Sequence, residues 1–330
     1  PQPLQLRIEA LMGCAPYDDP AAIVLTDFAR PGEFGPLGET RQILNSGKLY
    51  SYTDAAPGLS ASLEPCADIV RAGGVSGRWT ARHDGRNAAV LSSAPDDPFS
   101  LLDHAERLYR PRPASWVRLG RHFSPALDLS SHRGLGLWIH GDGQGEVINI
   151  RPASLAASDA HADHYITIDF SGWRYVELVE PESERFEDLS WPYGRCLYKT
   201  YREALVFKNV VGLELWYNNV PSGGRVTCHL SPLKALPLVT QRLCCPAITI
   251  AGRTVRFPVT LESGQVLELR GPRDCRLYGR QGEFLGEVIP EGEVPSLQDG
   301  PNEVTFSCEP SGCRPRARVT IISASDEPLR

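Results

Sequence analysis

The chain has 330 residues, a formal net charge of −6 and a hydrophobic fraction of 42 %. That hydrophobic fraction excludes intrinsic disorder, and a negative chain without a long basic run argues against a nucleic-acid binder that works by counterion release. The 30 Gly and 28 Pro favour a turn-rich β chain, and no stretch approaches the roughly 20 apolar residues of a membrane-inserted helix.

The start of the chain and its cysteines bear on the compartment. The sequence opens Pro-Gln-Pro without an initiator Met or an apolar leader, as in a processed secreted protein or a piece of a longer polypeptide. We therefore expect a secreted or cell-surface location and further domains in the same polypeptide. The nine cysteines are odd in number and irregularly spaced, which is compatible with one or two disulfides and shows no zinc-type arrangement.

Up to residue 230 the alternation of polar and apolar residues predicts ten short strands and one helix. The strands are 22–27, 78–83, 88–92, 116–123, 136–140, 146–151, 164–170, 173–178, 211–217 and 225–230. The helix is 100–109, where four apolar residues share a face after a serine at a capping position. Ten strands over residues 20–235 match the size of a jelly-roll sandwich.

Residues 179–207 form a long connection that is acidic at its start and aromatic later. Connections of this length are often functional. We expect this one to wall a cleft and to contribute Trp191 or Tyr193.

A proline-interrupted segment at 231–247 marks a domain boundary. Beyond it, seven short strands at close spacing predict a small immunoglobulin-like sandwich. These strands are 248–251, 254–261, 265–270, 276–278, 283–289, 303–308 and 316–322. The predicted organisation is an all-β chain, with a jelly-roll β-sandwich over residues 1–240 and a smaller immunoglobulin-like β-sandwich, interpreted as a spacer, over residues 246–330.

Successive side chains of a strand point to opposite faces, so the alternation predicts what each face carries. We read 136–140 and 146–151 as a hairpin turned by the glycines at 141, 143 and 145. The inward set contains Leu137, Ile139, Ile148, Ile150, Ile166, Ile168, Leu213 and Leu215. The opposite set contains Trp138, His140, Asn149, Arg151, Tyr165, Thr167, Asp169, Glu214 and Trp216.

Aromatic rings among hydrogen-bonding groups suit a sugar, because its C–H face stacks on a ring and its hydroxyls need donors and acceptors. The alternative is that Trp138 and Trp216 are core residues or are covered by the 179–207 connection. A second motif, Asp159-Ala-His161-Ala-Asp163-His164, alternates carboxylates and imidazoles. We interpret it as solvated loop side chains rather than as a metal site.

Two segments carry a family resemblance. They are GLGLWIHGDGQGEVINIR at 134–151 and DHYITIDFSGWRYVEL at 163–178. Together they resemble the galactose-binding-like jelly roll of carbohydrate-binding modules, such as those appended to β-glucanases and other polysaccharide-degrading enzymes. The likeness covers residues 110–235 well and 20–110 loosely. It implies glycan binding on the concave sheet face, and such modules often hold a structural calcium near the first strand, where Asp27 lies.

The prediction is a non-catalytic protein, or a fragment of a larger polysaccharide-degrading enzyme, that binds a polysaccharide or oligosaccharide without a cofactor. One alternative is catalysis on the same face. Tyr165, His140, Asn149 and Arg151 are the residue types that a polysaccharide lyase uses, and Asp169, Glu177 and Glu214 offer the carboxylates of a glycoside hydrolase. The other alternative is a pair of structural spacer domains.

Overall fold

A computed structural model describes residues 4–38, 40–43, 49–56, 58–71, 74–85, 116–154, 160–179, 189–190, 197–198, 205–297, 300, 302–309 and 314–322. The predicted helix 100–109, the predicted strand 88–92, Trp191 and Tyr193 lie outside these residues. Phe207–Asn209 forms a 3₁₀ turn. Across the described residues there is no helix with the length and apolar character needed to span a membrane.

The remaining elements are β-strands. In chain order the first fifteen are β1 (Gln5–Ala10), β2 (Gly13–Cys14), β3 (Ile23–Thr26), β4 (Thr40–Ile43), β5 (Leu49–Tyr52), β6 (Leu59–Cys66), β7 (Ser76–His83), β8 (Trp116–Leu127), β9 (Gly134–Asp142), β10 (Val147–Ser154), β11 (Ala160–His161), β12 (His164–Thr167), β13 (Ser171–Val179), β14 (Leu189–Ser190) and β15 (Leu197–Tyr198). They continue with β16 (Val210–Asn218), β17 (Arg225–Leu230), β18 (Leu233–Leu236), β19 (Leu238–Val239), β20 (Arg242–Ile250), β21 (Arg253–Arg256), β22 (Thr260–Glu262), β23 (Val266–Gly271), β24 (Asp274–Tyr278), β25 (Phe284–Glu287), β26 (Glu291–Gly292), β27 (Val304–Glu309) and β28 (Ala317–Ile322).

The chain divides into two compact units. The larger unit is Pro20–Leu236, and the smaller unit combines Pro1–Asp19 with Pro237–Arg330. The division at residue 236 falls within the predicted break. The placement of the first 19 residues in the jelly roll is wrong, because β1 lies between β23 and β28 in a sheet of the smaller unit and buries Leu6 and Ile8 in that unit's core.

The larger unit is a sandwich of two antiparallel sheets. The front sheet has the order β11–β10–β16–β8, with β12 also paired to β10. The back sheet is built around β9, which pairs with β13 on one side and with β17 and β18 on the other. It continues from β17 through β7 to β6, and from β18 to β3. The expected all-β jelly-roll class is confirmed.

The core between these sheets is formed by the inward residues that the alternation predicted. Leu137 and Ile139 from β9 and Ile148 and Ile150 from β10 are fully buried. The Tyr217 hydroxyl of the front sheet ties the sheets together, because it donates to the backbone carbonyl of Trp79 in the back sheet at 3.0 Å and accepts the backbone N–H of Cys228 in the same sheet at 3.0 Å. The Tyr217 and Trp79 rings pack with their centroids 4.1 Å apart, so ring packing and hydrogen bonding join the two sheets at the same place.

The predicted hairpin between 136–140 and 146–151 is wrong. β9 belongs to the back sheet and β10 to the front sheet. The chain crosses between sheets because Gly145 donates its backbone N–H to the Ile168 carbonyl and Ile168 donates to the Glu146 carbonyl. These bonds align β10 with β12 rather than with β9. The outward residues of β9 and β10 therefore lie on opposite surfaces of the sandwich.

The smaller unit has two larger sheets, with the orders β25–β24–β23–β1–β28 and β22–β20–β21–β26, the latter with β27 paired to β20, and a two-stranded sheet of β19 and β2. A core of buried aliphatic residues around Phe257 belongs to this unit. The immunoglobulin-like topology stays a prediction. Among the cysteines in the described part of the chain, Cys66, Cys228, Cys244, Cys245 and Cys275 carry thiols rather than disulfides.

Candidate functional site

The outward side chains of β12, β10, β16 and β8 share one surface, which we call the outer front face. Along one row of this face, Tyr165 pairs with Asn149, Asn149 pairs with Trp216, and Trp216 pairs with Arg118. Paired residues of antiparallel strands point to the same side of a sheet. The register therefore places an aromatic, an amide, a second aromatic and a guanidinium group side by side.

Glu214 links the charged groups of this face. It pairs with Arg151 across β10 and β16, and its Oε2 accepts the indole N–H of Trp216 at 2.9 Å. Nη1 of Arg118 lies 3.7 Å from this oxygen and Nη1 of Arg151 lies 3.5 Å from it. The two guanidinium carbons are 5.3 and 5.6 Å from the Trp216 ring centroid, and the Trp116 ring packs against Trp216 at 5.4 Å.

Arg118 is buried, with its side chain only 1 % exposed, and two loops hold it in place. Its Nε donates to Asp54 at 2.9 Å, and its Nη2 donates to the Gly38 carbonyl at 2.9 Å. The Asp54 carboxylate also accepts the backbone N–H groups of Leu37 and Gly38. Leu37 lies against Gly120, where a Cβ would collide with it, so the glycine allows this loop to approach β8.

A second charged cluster surrounds Asp163. Its carboxylate accepts from Asn149 Nδ2 at 2.6 Å and lies 3.6 Å from Arg151 Nε and 3.4 Å from His161 Nε2. Arg151 Nη2 is 2.7 Å from the His161 ring nitrogens. Burial by itself raises the pKa of this carboxyl, but the hydrogen bond from His161 and the charge of Arg151 outweigh it and bring the pKa of Asp163 to about 2.

This cluster corrects the interpretation of residues 159–164 as a solvated loop. His161, Asp163 and His164 are buried, because β11 and the start of β12 run along β10. Alternation contained the signal: 161, 163, 165 and 167 have the same parity as the outward residues of β12. Arg118 was missed for a similar reason, since Trp116 and Arg118 alternate with Val117 and Leu119, which are buried.

The spacing of the charges indicates what the face can bind. Three of its ion-pair contacts measure 3.5 to 3.7 Å, which is too long for direct hydrogen bonds. The partners at these contacts attract each other through charge, and they are too close together for a water or a hydroxyl to lie between them. The parts of the face that a ligand can reach are the half-buried rings of Tyr165 and Trp216 and the Glu214 carboxylate, because Arg118, Asn149 and Asp163 are buried.

The structure brings together six of the predicted site residues on the outer front face: Asn149, Arg151, Tyr165, Thr167, Glu214 and Trp216. Asp169 lies just after β12, is largely exposed and pairs with Arg174 at 3.1 Å. Trp138 and His140 lie on the opposite surface, the outer back face, so the prediction of one common face is wrong for them. The lyase-like set is divided in the same way, because His140 is separated from Tyr165, Asn149 and Arg151.

The outer back face has its own aromatic cluster. The Trp138 and Tyr175 rings are 5.3 Å apart, and the Arg71 guanidinium stacks 3.8 Å above Trp138. His140 contacts the edge of Trp173 at 5.4 Å and lies 5.9 Å from His229. Burial and the nearby charges of His140 and Arg78 lower the pKa of His229. Trp138 is half-buried rather than part of the inter-sheet core.

The calcium expected near the first jelly-roll strand stays a prediction, and the two described carboxylates there already have protein partners. Asp27 accepts the backbone N–H of Ala29, and Glu33 is engaged by Arg121 and Thr26. Among the described residues no three His, Cys, Asp or Glu side chains lie close enough together to hold a metal ion between them.

No protein-family model and no curated protein matches the sequence. Similar solved structures include a family 11 carbohydrate-binding module from Clostridium thermocellum in complex with a β-1,3-1,4-mixed-linked tetrasaccharide, at 13 % identity over 66 % of this chain and 95 % of that one, with a TM-score of 0.36. The module CtCBM11, studied in solution, has 14 % identity, 67 % and 98 % coverage and a TM-score of 0.38. An exo-β-agarase is matched over 65 % of this chain and 25 % of its own length, with 13 % identity and a TM-score of 0.36. These include modules of the kind that the sequence resemblance implied, but at these TM-scores the likeness identifies neither a ligand nor a binding face.

Proposed function

We propose that the larger unit binds a polysaccharide or oligosaccharide chain on its outer front face without catalysing a reaction. The observation that carries this proposal is the row of Tyr165, Asn149, Trp216 and Arg118, which are neighbours in register on a single face. Rings along such a row offer stacking surfaces to successive sugars. Asn149 between the rings and Arg118 beside Trp216 are buried and held by their own partners, so the rings are positioned before the ligand arrives, which lowers the entropic cost of binding.

The test is retention of the full chain in native gels that contain neutral plant, algal and bacterial polysaccharides. Trp216→Ala and Tyr165→Ala each remove a ring from the row, and we expect each to abolish retention. Trp138→Ala is the matched control, because it removes a half-buried ring from the opposite surface and should leave retention unchanged. Melting temperatures recorded in parallel separate loss of binding from loss of folding.

Two outcomes would contradict the proposal. Retention that survives both front-face substitutions excludes the row as the binding surface. Retention that is lost only in Trp138→Ala places the glycan on the outer back face instead. If Trp216→Ala unfolds the protein, Tyr165→Ala still tests the front-face site, because Tyr165 lies on β12, at an edge of the front sheet.

One observation favours a second candidate function, catalysis on the same face. His161 lies beside Arg151 and shares the face with Tyr165 and Asn149, so it supplies the imidazole that His140 cannot. A lyase acting on a uronate polymer forms an unsaturated product that absorbs in the near ultraviolet, whereas a hydrolase releases reducing ends without that absorbance. Incubation with neutral and uronate-containing polysaccharides, followed by both readouts, distinguishes binding from either reaction.

Three expectations from the sequence remain part of this proposal as predictions. They are a secreted or cell-surface location, further domains in the same polypeptide, and a spacer role for the smaller unit. The extracellular location agrees with the proposed ligand, because polysaccharides of this kind lie outside cells.

A further inference from the structure

A groove of about 550 Å³ crosses the outer back face at the end away from Trp138. The outward residues of β6, β7 and β17 form its floor. Ser60, Ser62 and Thr80 contribute hydroxyls, and Arg82 and Arg225 contribute guanidinium groups. The groove is thus lined by hydrogen-bonding groups and by two positive charges.

The two arginines are direct neighbours. Arg225 pairs with Arg82 between β17 and β7, and Ser60 pairs with Arg82 on its other side. Like charges placed opposite each other destabilise a sheet. Arg78, two residues earlier on β7, differs because it pairs with Glu64 and so has a carboxylate next to it.

The neighbouring carboxylates, Asp84 and Asp142, do not neutralise the Arg82–Arg225 pair. Among the described residues no hydrogen bond or ion pair engages the guanidinium of Arg82 or Arg225. Asp84, two residues after Arg82, therefore pairs with neither guanidinium. Asp142 is occupied by other donors: it accepts from Thr227 N at 2.8 Å and from the backbone and side-chain nitrogens of Gln144 at 3.1 and 2.8 Å.

We propose that this groove is a second binding site, which takes the carboxylate groups of an acidic polysaccharide. A carboxylate between the two arginines would relieve their mutual repulsion and accept the parallel N–H pairs that a guanidinium presents. The serine and threonine hydroxyls of the groove would bond to the ring hydroxyls of the same sugar. This site is on the surface opposite to the one in the proposed function.

The surroundings favour a carbohydrate over a nucleic acid. The chain carries a net charge of −6, and the groove contains two basic residues rather than a basic track. A nucleic acid bound through its phosphates needs a longer series of cationic contacts. A sugar acid needs one anion site surrounded by hydroxyl partners, and this is what the groove offers.

The experiment measures binding of the full chain to polygalacturonate by calorimetry, with the fully methyl-esterified polymer as the neutral match. We expect the acidic polymer to bind and the ester to bind at least tenfold more weakly. The double variant Arg82→Gln/Arg225→Gln should lose at least tenfold in affinity. Arg78→Gln, on the same strand and face but beside Glu64, should change the affinity less than twofold.

A further variant and further ligands distinguish an acidic polysaccharide from the other possible ligands of the groove. Ser62→Gln fills the groove while keeping both charges, and it should also weaken binding. Unchanged affinity in the double variant, or equal binding of the ester, overturns the proposal. Tighter binding of dextran sulfate or of poly(U) through the same two arginines also overturns it, in favour of sulfate esters or a nucleic acid. Trp216→Ala should leave polygalacturonate binding at the groove intact, so a failure of the front-face proposal is distinguishable from a failure of this one.

Discussion

Trp216 donates its indole N–H to Glu214 at 2.9 Å, and the oxygen that accepts it lies within 3.7 Å of both Arg118 and Arg151. One carboxylate oxygen therefore orients an aromatic ring and balances two cations. The ring and the guanidinium groups are held in place by this contact before any ligand arrives. On the outer front face the same side chain thus fixes the ring orientation and the charge balance.

Replacing Glu214 should destabilise the larger unit. Glu214→Ala leaves Arg118 and Arg151 without a shared counter-charge in a mostly buried setting, and we expect a loss of about 3 kcal/mol in the free energy of unfolding. Asp169→Ala is the control, because its pair with Arg174 is half-exposed on both sides and should contribute less than about 1 kcal/mol. Urea denaturation measures both. Equal losses in the two variants would show that the Glu214 contacts are no stronger than a surface pair.

Asp163 should make the protein sensitive to acid. Its pKa in the folded protein is about 2, against an ordinary value of 3.8. The stabilisation is therefore complete above about pH 4 and is lost as the pH falls towards 2. It amounts to roughly 2 kcal/mol, since one pKa unit corresponds to about 1.4 kcal/mol. We expect Asp163→Asn to be less stable than the natural protein at pH 6 and to approach it at pH 2, as measured by chemical denaturation across that range.

Glu146 should have the opposite effect at higher pH. It is fully buried, and within the described residues neither carboxyl oxygen has a hydrogen-bond partner. Burial first, and then the nearby Asp142, raise its pKa from 4.5 to about 8. Between these values the unfolded chain has released a proton that the folded protein retains, so stability falls as the pH rises from about 4.5 to 8.

Glu146→Gln tests this directly. The neutral amide has a similar shape, so the variant should match the natural protein at pH 4 and exceed its stability at pH 8 by roughly 4 kcal/mol. Glu64→Gln, an exposed carboxyl on β6, is the control and should show no such divergence. Melting curves between pH 4 and pH 9 provide the measurement, and parallel curves for the natural protein and Glu146→Gln would contradict the assignment.

Gly141 should tolerate no side chain. A Cβ at this position would collide with the backbone carbonyl oxygen of Phe170, and Ile168 lies close behind it. Backbone cannot move aside as a flexible side chain does, so Gly141→Ala should cost about 2 to 3 kcal/mol of stability. Gly35→Ala is matched to it, because a Cβ at Gly35 has nothing within 4 Å. Thermal unfolding of both variants tests the difference, and a stable Gly141→Ala would contradict the packing at this crossing.

The alternation of polar and apolar residues by itself predicted part of the outer front face. Asn149, Arg151, Tyr165, Glu214 and Trp216 were assigned to the face opposite the core, and the structure places them there. Trp138 and His140 were assigned to the same face because β9 and β10 looked like a hairpin. Parity relates a side chain to the strand that carries it, but it contains no information on which sheet the strand joins.

The sequence by itself determined the all-β class, a break at 231–247 within which the two units divide, and the inward residues of four strands, because a two-residue repeat and turn-forming residues are local properties of the chain. Only the tertiary structure decided that β1 completes a sheet of the smaller unit, that β9 and β10 lie in different sheets, and that Asp163 and His161 are buried beside Arg151. These features depend on hydrogen bonds between strands distant in sequence. Such pairings are chosen by the packing of the whole sandwich rather than by the residues within any one strand.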